Sequence, residues 1–223
     1  FEVDSQGTLI NGLVSYWKLD ETSGTRFDSF GTNHLTSNNN IISLIGKKGN
    51  ATNFAAKTDR LEQQYLHVQS FSLDFGDQDF TIAGWVYIGG GSKSNSMAIL
   101  SKADSSTSRQ FLLEYNKNVD RFRFNVNAGS GWIGVNADNL GSPSVADVWY
   151  YIVAWHDSVN NQIGIQVNNE NSNTASHSTG MITTPSKLIV GTFIDVPGYA
   201  WNGAIDELGF WKRVLTSQEK SDL

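Results

Sequence analysis

Aromatic side chains beside polar loop residues are the clearest candidates for chemistry in this sequence. Trp132 follows a Gly-Ser-Gly turn at 129–131, and Tyr199 and Trp201 lie in a loop with Asp195 close by. An aromatic face can stack on a sugar ring while amide or carboxylate groups beside it bind the hydroxyls. We therefore predict Trp132, Tyr199, Trp201 and Asp195 as ligand-binding residues. The alternative is that Trp132 and Trp201 only pack at the rim of the fold.

Catalytic constellations are missing from the sequence. Cleavage of a glycosidic bond needs two carboxyl groups that flank it, and no Glu-x-Asp-x-x-Glu spacing places such a pair on one face of a strand. Asp206 and Glu207 are adjacent, so they would point to opposite faces. The four histidines, a further class of catalytic or metal-binding side chain, are scattered without metal-ligand spacing: His34, His67, His156 and His177. We therefore predict a protein that is not an enzyme.

Composition and charge restrict the partners. Sixteen basic and 22 acidic side chains give a net charge of −6, and no basic cluster is present to bind a phosphate backbone, so we expect no nucleic-acid partner. No apolar run approaches the roughly 20 residues that span a bilayer, so we expect no membrane insertion. The absence of cysteine excludes disulfides and leaves oxygen or imidazole as metal ligands, which makes Ca²⁺ the first metal to consider.

The elements that must position these residues are short strands. Apolar or alternating runs recur between turn-forming residues, and about a dozen strands suit two packed sheets. Strands are predicted at 13–19, 51–55, 65–69, 79–88, 97–102, 109–115, 121–127, 131–136, 148–157, 162–168, 187–191 and 202–212. Residues 36–40 and 168–180 are predicted to be loops. Thr216 and Glu219 have the spacing of a capping box, which predicts one short C-terminal helix.

Alternation predicts which faces are buried. In 121–127 the apolar residues Phe122, Phe124 and Val126 alternate with Arg and Asn, and 162–168 repeats the pattern, so each strand has one solvent-facing side. The segments 80–87 and 149–155 are apolar or aromatic on both faces, which predicts strands in the middle of the sandwich, covered by the other sheet on one side and by loops on the other. The tryptophans inside strand patterns are predicted to be core: Trp17, Trp85, Trp149, Trp155 and Trp211.

Two segments near opposite ends of the chain are expected to pair. Residues 12–21 and 203–216 both have a strand pattern and both contain an Asp-Glu step, which suits neighbouring strands in one sheet. Everything between them would then form one closed domain. We predict a lead-in segment at 1–11 and a single domain at 12–223.

The order of these motifs resembles a known family. The sequence is similar to laminin G-like (concanavalin A-like) jelly-roll domains, and one departure is Asn169, where members usually have glycine after a Val-Asn step. The resemblance implies a two-sheet antiparallel β-sandwich with neighbouring terminal strands and, often, a structural Ca²⁺. It rests on Leu13–Glu21, Asp28–Asn33, Gly46–Ala51, Phe80–Val86, Trp149–Asp157, Gln166–Asn169, Gly203–Leu208 and Leu215–Glu219.

A calcium site follows from this resemblance. The loop from Asp28 to Asn33 offers carboxylate, carbonyl and amide oxygens, and the neighbouring terminal strands would supply a second carboxylate from Asp206 or Asp20. We predict Asp28, Asn33 and Asp206 as ligands. The alternative is that Asp28 and Asn33 only close Asx-turns.

The function class predicted from these features is a non-catalytic recognition or adhesion module with a carbohydrate ligand. We expect it outside the cytoplasm, at a cell surface or on a virion, where a glycan or cell-surface polysaccharide would be its partner. The alternative is a structural component of a virus particle, such as a phage capsid decoration or tail protein, that contacts other chains of the assembly.

Overall fold

Antiparallel strands make up nearly all the regular structure in the computed structural model, which describes residues 8–57, 59–90, 95–103, 108–143, 147–177, 179–193, 196 and 198–223. Asp195 lies outside the described residues. The strands are β1 (Leu13–Trp17), β2 (Thr36–Asn38), β3 (Ile42–Ile45), β4 (Asn50–Phe54), β5 (Tyr65–Val68), β6 (Phe80–Ile88), β7 (Met97–Ala103), β8 (Arg109–Asn116), β9 (Arg121–Asn127), β10 (Trp132–Asn136), β11 (Trp149–Asp157), β12 (Gln162–Val167), β13 (Asn173–Ser176), β14 (Leu188–Val190) and β15 (Gly203–Trp211).

The strands form two sheets that pack face to face. The eight-stranded sheet has the order β13-β12-β11-β6-β15-β4-β3, with β1 also paired to β15, and the seven-stranded sheet has the order β10-β9-β8-β7-β14-β5-β2. Side chains from the two inner faces form one large apolar core. The predicted all-β, two-sheet antiparallel sandwich is confirmed.

Strand alternation places the core as predicted. In β9, Phe122, Phe124 and Val126 are fully buried between the sheets, and Ile163 and Ile165 of β12 are buried likewise. Because successive side chains of a strand point to opposite faces, the polar residues of β9 must lie on the outer face of the seven-stranded sheet. Two of these residues, Arg123 and Asn125, form part of the floor of a cleft on that outer face.

The central strands β6 and β11 are covered on both faces, as predicted. Their inner residues join the main core, and their outer residues join a second apolar cluster that includes Trp155, Trp211, Leu9 and Leu215. The cluster covers only part of the outer face, because Trp85 and Trp149 are half-buried rather than buried. For these two tryptophans the prediction of a core position is therefore wrong.

Three strands were not predicted, and each lies at the edge or next to the edge of a sheet. β3 and β13 end the eight-stranded sheet and β2 ends the seven-stranded sheet. The sequences of β2 and β13, Thr-Ser-Asn and Asn-Thr-Ala-Ser, carry no alternation because an edge strand buries little side-chain area. Their ladder hydrogen bonds to β5 and β12 hold them in place instead.

The turn after β12 forms despite the departure from the family pattern. Asn168 and Asn169 have φ angles of 51° and 58°, so both adopt the left-handed conformation. Asparagine tolerates this region better than most residues that have a Cβ. The turn is therefore retained with two amide side chains in place.

The two ends of the chain meet in one sheet, as the sequence predicted. β1 pairs antiparallel with β15, with Leu13 opposite Trp211 and Trp17 opposite Leu208. Residues 8–11, which the sequence assigned to a lead-in, pack against this pair. Leu9 is fully buried, and its carbonyl accepts a hydrogen bond of 2.7 Å from Trp211 Nε1.

The C-terminal helix α1 (Ser217–Asp222) begins at the predicted capping box. Arg213 connects this helix to the other end of the chain, because its guanidinium donates to both Glu219 carboxylate oxygens at 2.6 and 2.7 Å and to the carbonyls of Asn11 and Thr8. Within the described parts of the chain, no helix is long and apolar enough to cross a membrane.

Glu219→Gln tests this connection. Hydrogen bonds from Arg213 lower the pKa of Glu219 to about 2, so the stability it contributes is present above its ordinary pKa and is lost as the pH falls toward 2. We expect the substitution to lower the free energy of unfolding by about 1–2 kcal/mol at pH 7. The difference should shrink at pH 3, as measured by urea unfolding at both pH values.

Glu62→Gln is the matched control, because Glu62 forms only an exposed ion pair with Lys57. It should leave stability nearly unchanged. An equal destabilisation by Glu219→Gln at pH 7 and pH 3 would show that the charge of Glu219 is not what stabilises the ends.

Candidate functional site

A cleft of about 300 Å³ opens on the outer face of the seven-stranded sheet. Its floor comes from β8, β9 and β10, and one wall comes from the chain that follows β14. The volume is at the lower end of the range of small-ligand sites, about 300 to 1,000 Å³. The lining residues are Arg109, Leu112, Glu114, Arg123, Asn125, Trp132, Phe193, Val196 and Tyr199.

Aromatic side chains form the walls of this cleft. Trp132, the first residue of β10, is 39% exposed, and its ring meets the ring of Phe193 edge-on at 6.4 Å. Tyr199 also packs against Phe193, with ring centroids 6.0 Å apart. The fold therefore brings the predicted residues Trp132 and Tyr199 together, and it leaves the Trp132 ring open to solvent.

Polar side chains form the floor. Glu114 of β8 lies opposite Arg123 of β9, and Asn125 lies opposite Gly134 of β10. Asn125 and Asn116 each donate an amide hydrogen bond to Glu114 Oε1, at 3.1 and 3.0 Å. These bonds fix the Glu114 carboxylate in one orientation.

The second oxygen of this carboxylate is buried below the cleft. Glu114 is 3% exposed, and its Oε2 atom has no hydrogen-bond partner among the described residues. The Nε atoms of Arg109 and Arg123 are buried without a described partner in the same way. Buried polar atoms are costly to leave unpaired, so an acceptor and two donors lining one cleft are suited to the hydroxyl groups of a ligand.

Burial also changes the ionisation of Glu114. Desolvation raises its pKa above the ordinary value, although the amides of Asn116 and Asn125 and the charge of Arg123 act in the opposite direction. A carboxyl group held in this way can accept a hydrogen bond from a hydroxyl when ionised and donate one when protonated.

Gly134 leaves room for the floor. A Cβ at this position would lie 2.3 Å from Asn125 Oδ1 and 2.4 Å from Arg123 Nε. Because glycine has no side chain, Asn125 and Arg123 can extend across β10 toward Trp132. Glycine here serves close approach rather than a turn.

Trp201, the third predicted aromatic, is not part of the cleft. It is fully buried in the main core, so both faces of its ring are covered by protein and it cannot stack on a ligand. The prediction for Trp201 is wrong because a short loop motif does not show which of its side chains turns inward. Its neighbour Tyr199, two residues away, points outward into the cleft.

The polar floor was not predicted from the sequence. Glu114, Arg123 and Asn125 were not predicted, although the alternation of β9 placed Arg123 and Asn125 on a solvent-facing side. The available signal was Glu114 itself, an acidic residue inside the apolar run Phe-Leu-Leu-Glu-Tyr of β8. A charge at such a position requires partners, which neighbouring strands can supply.

The predicted calcium ligand Asp28 has its oxygens occupied by amide donors. Asp28 Oδ1 accepts from the backbone N–H groups of Tyr16, Phe30 and Gly31 at 2.9 to 3.0 Å, and Oδ2 accepts from Asn33 at 3.1 Å. Burial alone would raise the pKa of Asp28, but these bonds outweigh it and lower the pKa. The Asx-turn alternative accounts for Asp28.

Asn33 and Asp206 belong to separate networks. The Asn33 amide donates to Ser15 and Ser72, whereas Asp206 Oδ2 accepts from the N–H groups of Lys47 and Lys48 at 2.8 and 3.1 Å. Burial is the main cause that raises the pKa of Asp206 to about 6. Asp206 Oδ1 is buried with no described hydrogen-bond partner.

No group of three or more acidic or histidine side chains in the described ranges is arranged to hold a metal ion. Calcium binding by Asp28, Asn33 and Asp206 stays a prediction. If it occurs, Asp206 Oδ1 is the oxygen with spare capacity to coordinate the ion.

The calcium prediction is tested by melting the protein in EDTA and in excess CaCl₂. An ion bound to the native state raises the melting midpoint by mass action, so EDTA should lower the midpoint and Asp206→Asn should remove the difference. A midpoint that is the same in both buffers would exclude a stabilising calcium ion.

Several solved structures share this fold at low sequence identity. The binding domain of Paraclostridial Mosquitocidal Protein 1 superposes with a TM-score of 0.75 at 14% identity over 95% of this chain and 51% of that one. The botulinum neurotoxin serotype D binding domain gives a TM-score of 0.68 at 10% identity, covering 93% of this chain and 50% of that one. The chain thus spans about half the length of these toxin domains.

A third structure is matched over nearly its whole length. Domain 4 of AbnA, an extracellular GH43 arabinanase from Geobacillus stearothermophilus, was solved in complex with arabinotriose. It gives a TM-score of 0.67 at 16% identity and covers 94% of this chain and 97% of that one. At these identities the three structures show a shared fold.

Sequence comparison agrees with the fold. No curated protein matches this sequence, but a family model described as the concanavalin A-like lectin/glucanases superfamily, Laminin_G_3, matches residues 58–219. The match covers more than half of the chain and includes the strands that carry the cleft. This protein therefore belongs to the concanavalin A-like lectin/glucanases superfamily.

Proposed function

We propose that this domain is a non-catalytic recognition module that binds a carbohydrate in the cleft between Trp132 and Tyr199. The observation that carries the proposal is the position of an open tryptophan ring beside a buried carboxylate oxygen with no described partner, Glu114 Oε2. An aromatic face stacks on the C–H face of a sugar ring, and fixed polar atoms bind its hydroxyls.

The residues divide into two roles. Trp132 provides the stacking surface, while Phe193 and Tyr199 line the cleft beside it. Glu114 accepts or donates a hydrogen bond, and Arg123 donates one from a side chain held across Gly134. Because the strands hold these groups in place, little side-chain entropy is lost when a ligand binds.

The cleft does not support glycosidase chemistry. Hydrolysis needs two carboxyl groups on either side of the scissile bond, about 5 to 9.5 Å apart. Glu114 is the only carboxylate among the described lining residues, and arginines stand beside it. Binding without turnover therefore fits the side chains that line the cleft.

The comparisons supply further support. Domain 4 of AbnA was solved with arabinotriose, and the binding domain of botulinum neurotoxin DC was solved with SialylT. We extend glycan binding to this chain as part of the proposal, together with a location outside the cell. A structural component of a virus particle would be expected to present a flat apolar contact surface, whereas the region around Trp132 is a cleft with a polar floor.

Trp132→Ala tests the proposal on a glycan array that includes arabinotriose, followed by titration calorimetry with the saccharides that bind. Loss of the stacking surface should weaken binding about tenfold or more, since stacking and the buried area each contribute about 1 kcal/mol. The melting midpoint should change little because the ring is partly exposed.

Phe71→Ala is the matched control for Trp132→Ala. Phe71 is an 86% exposed aromatic residue outside the cleft, so its removal should leave binding unchanged. An array with no saturable signal, or unchanged affinity in Trp132→Ala, would contradict glycan binding at this cleft.

Gly134→Ala tests the floor without removing any functional group. The added methyl group would meet Asn125 and Arg123, so both side chains must shift. We expect affinity to fall severalfold while the fold is retained, because the backbone at this position suits alanine. The affinity by calorimetry and the melting midpoint are measured together, and undiminished affinity would show that Arg123 and Asn125 do not contact the ligand.

A further inference from the structure

A second cleft of about 300 Å³ lies on the outer face of the eight-stranded sheet, on the opposite side of the sandwich from the first. It is formed where the second apolar cluster stops covering β6 and β11. The lining residues are Trp85, Trp149, Tyr151, Asn168, Asn169 and Leu223.

Two of the three aromatic residues of this cleft are not packed as core residues, whereas Tyr151 is buried in the second apolar cluster. Trp85 and Trp149 are half-buried. Trp85 lies 5.0 Å from Tyr151, and Trp149 lies 5.4 Å from Tyr87, measured between ring centroids. Lys47 Nζ lies over the Trp85 ring, 4.3 Å from its centroid, and therefore covers part of one face of that ring. Trp149 is therefore the ring available for stacking.

Two amide side chains stand at the rim. Asn168 Oδ1 accepts a 2.9 Å hydrogen bond from the backbone N–H of Tyr151, and this bond fixes the amide beside the aromatic residues. Asn168 Nδ2 and the Asn169 side chain have no hydrogen-bond partner among the described residues and are exposed. They offer donors and an acceptor next to the Trp149 ring.

The turn that carries Asn168 and Asn169 has a left-handed backbone conformation at both residues. Both asparagines have left-handed φ angles, a conformation that glycine adopts without strain. Asn168 uses its side chain to bind the Tyr151 N–H, but the turn does not need a side chain at Asn169, whose amide nevertheless lines the cleft.

We propose that this second cleft is an independent binding site for an uncharged sugar residue, which stacks on Trp149 and is hydrogen-bonded by Asn168 and Asn169. The class of ligand follows from the lining side chains around Trp149, none of which is charged at neutral pH, in contrast to the arginines and Glu114 of the first cleft. The charged Lys47 contacts the Trp85 ring rather than Trp149. A domain with sites on opposite faces binds two separate glycan chains.

The site is tested in the Trp132→Ala background, so that the first cleft does not contribute. The ¹⁵N-labelled protein is titrated with arabinotriose and, separately, with cellotriose, and the indole and side-chain amide signals are followed by NMR. Saturable shifts of the Trp149 indole and of the Asn168 and Asn169 amides with either sugar are expected. Their absence with both sugars would overturn the proposal.

Asn169→Gly is the discriminating variant. It removes the amide and keeps the left-handed backbone, so the melting midpoint should stay the same or rise. Affinity should nevertheless fall about threefold to tenfold, in line with the loss of one hydrogen bond. Trp149→Ala should remove the remaining binding, and unchanged affinity in both variants would overturn the site.

The same experiment tests the proposed sugar sites in the two clefts independently. In the wild-type protein, shifts confined to Trp132 and its neighbours would support the first cleft and overturn the second. Shifts confined to Trp149 and the two asparagines would do the reverse. Phe71→Ala again serves as the aromatic control, because Phe71 lines neither cleft.

Discussion

The pairing of β1 with β15 is the constraint on which the rest of the structure depends. β15 lies at the centre of the eight-stranded sheet, with β6 along one edge and with β4 and then β1 along the other. The register with β6 shifts between Asp206 and Gly209, where Glu207 has a φ of 52°, and this is where the neighbour of β15 changes from β4 to β1. The two ends of the chain thus share one sheet, and the inner faces of both sheets form one large apolar core. Asp206, bound by the amides of the β3–β4 turn, attaches β15 to that turn at the point of change.

Both clefts follow from how a sandwich covers its outer faces. Each sheet buries one face against the other sheet and must cover or expose the second. On the eight-stranded sheet the chain termini cover Trp155 and Trp211 but leave Trp149 half-open. On the seven-stranded sheet a small cluster around Leu112 and Phe193 is the only apolar cover among the described residues. On each outer face, a cleft large enough for a small ligand lies at the edge of the apolar cluster that covers the sheet.

The polar floor of the first cleft is costly unless a ligand uses it. A carboxylate oxygen buried without a partner destabilises the fold by about 1–3 kcal/mol, and the unpaired Nε atoms of Arg109 and Arg123 add to that cost. Sites at which local stability is lowered in this way are commonly functional. Trp201 differs in position, since it is fully buried in the main core and its ring is unavailable to any ligand.

The sequence alone determined the fold class, the inner faces of β9 and β12, the capping box of α1 and the pairing of the chain ends. These features depend on local periodicity or on strong apolar patterns, which can be recognised in the sequence without knowledge of tertiary contacts. Only the tertiary structure decided that Trp201 is buried while Tyr199 is not, that Trp85 and Trp149 are half-open, and that β2, β3 and β13 form. It also joined Glu114 on one strand to Trp132 on another. Alternation shows which residues share a face, but which part of that face is covered depends on chain segments distant in sequence.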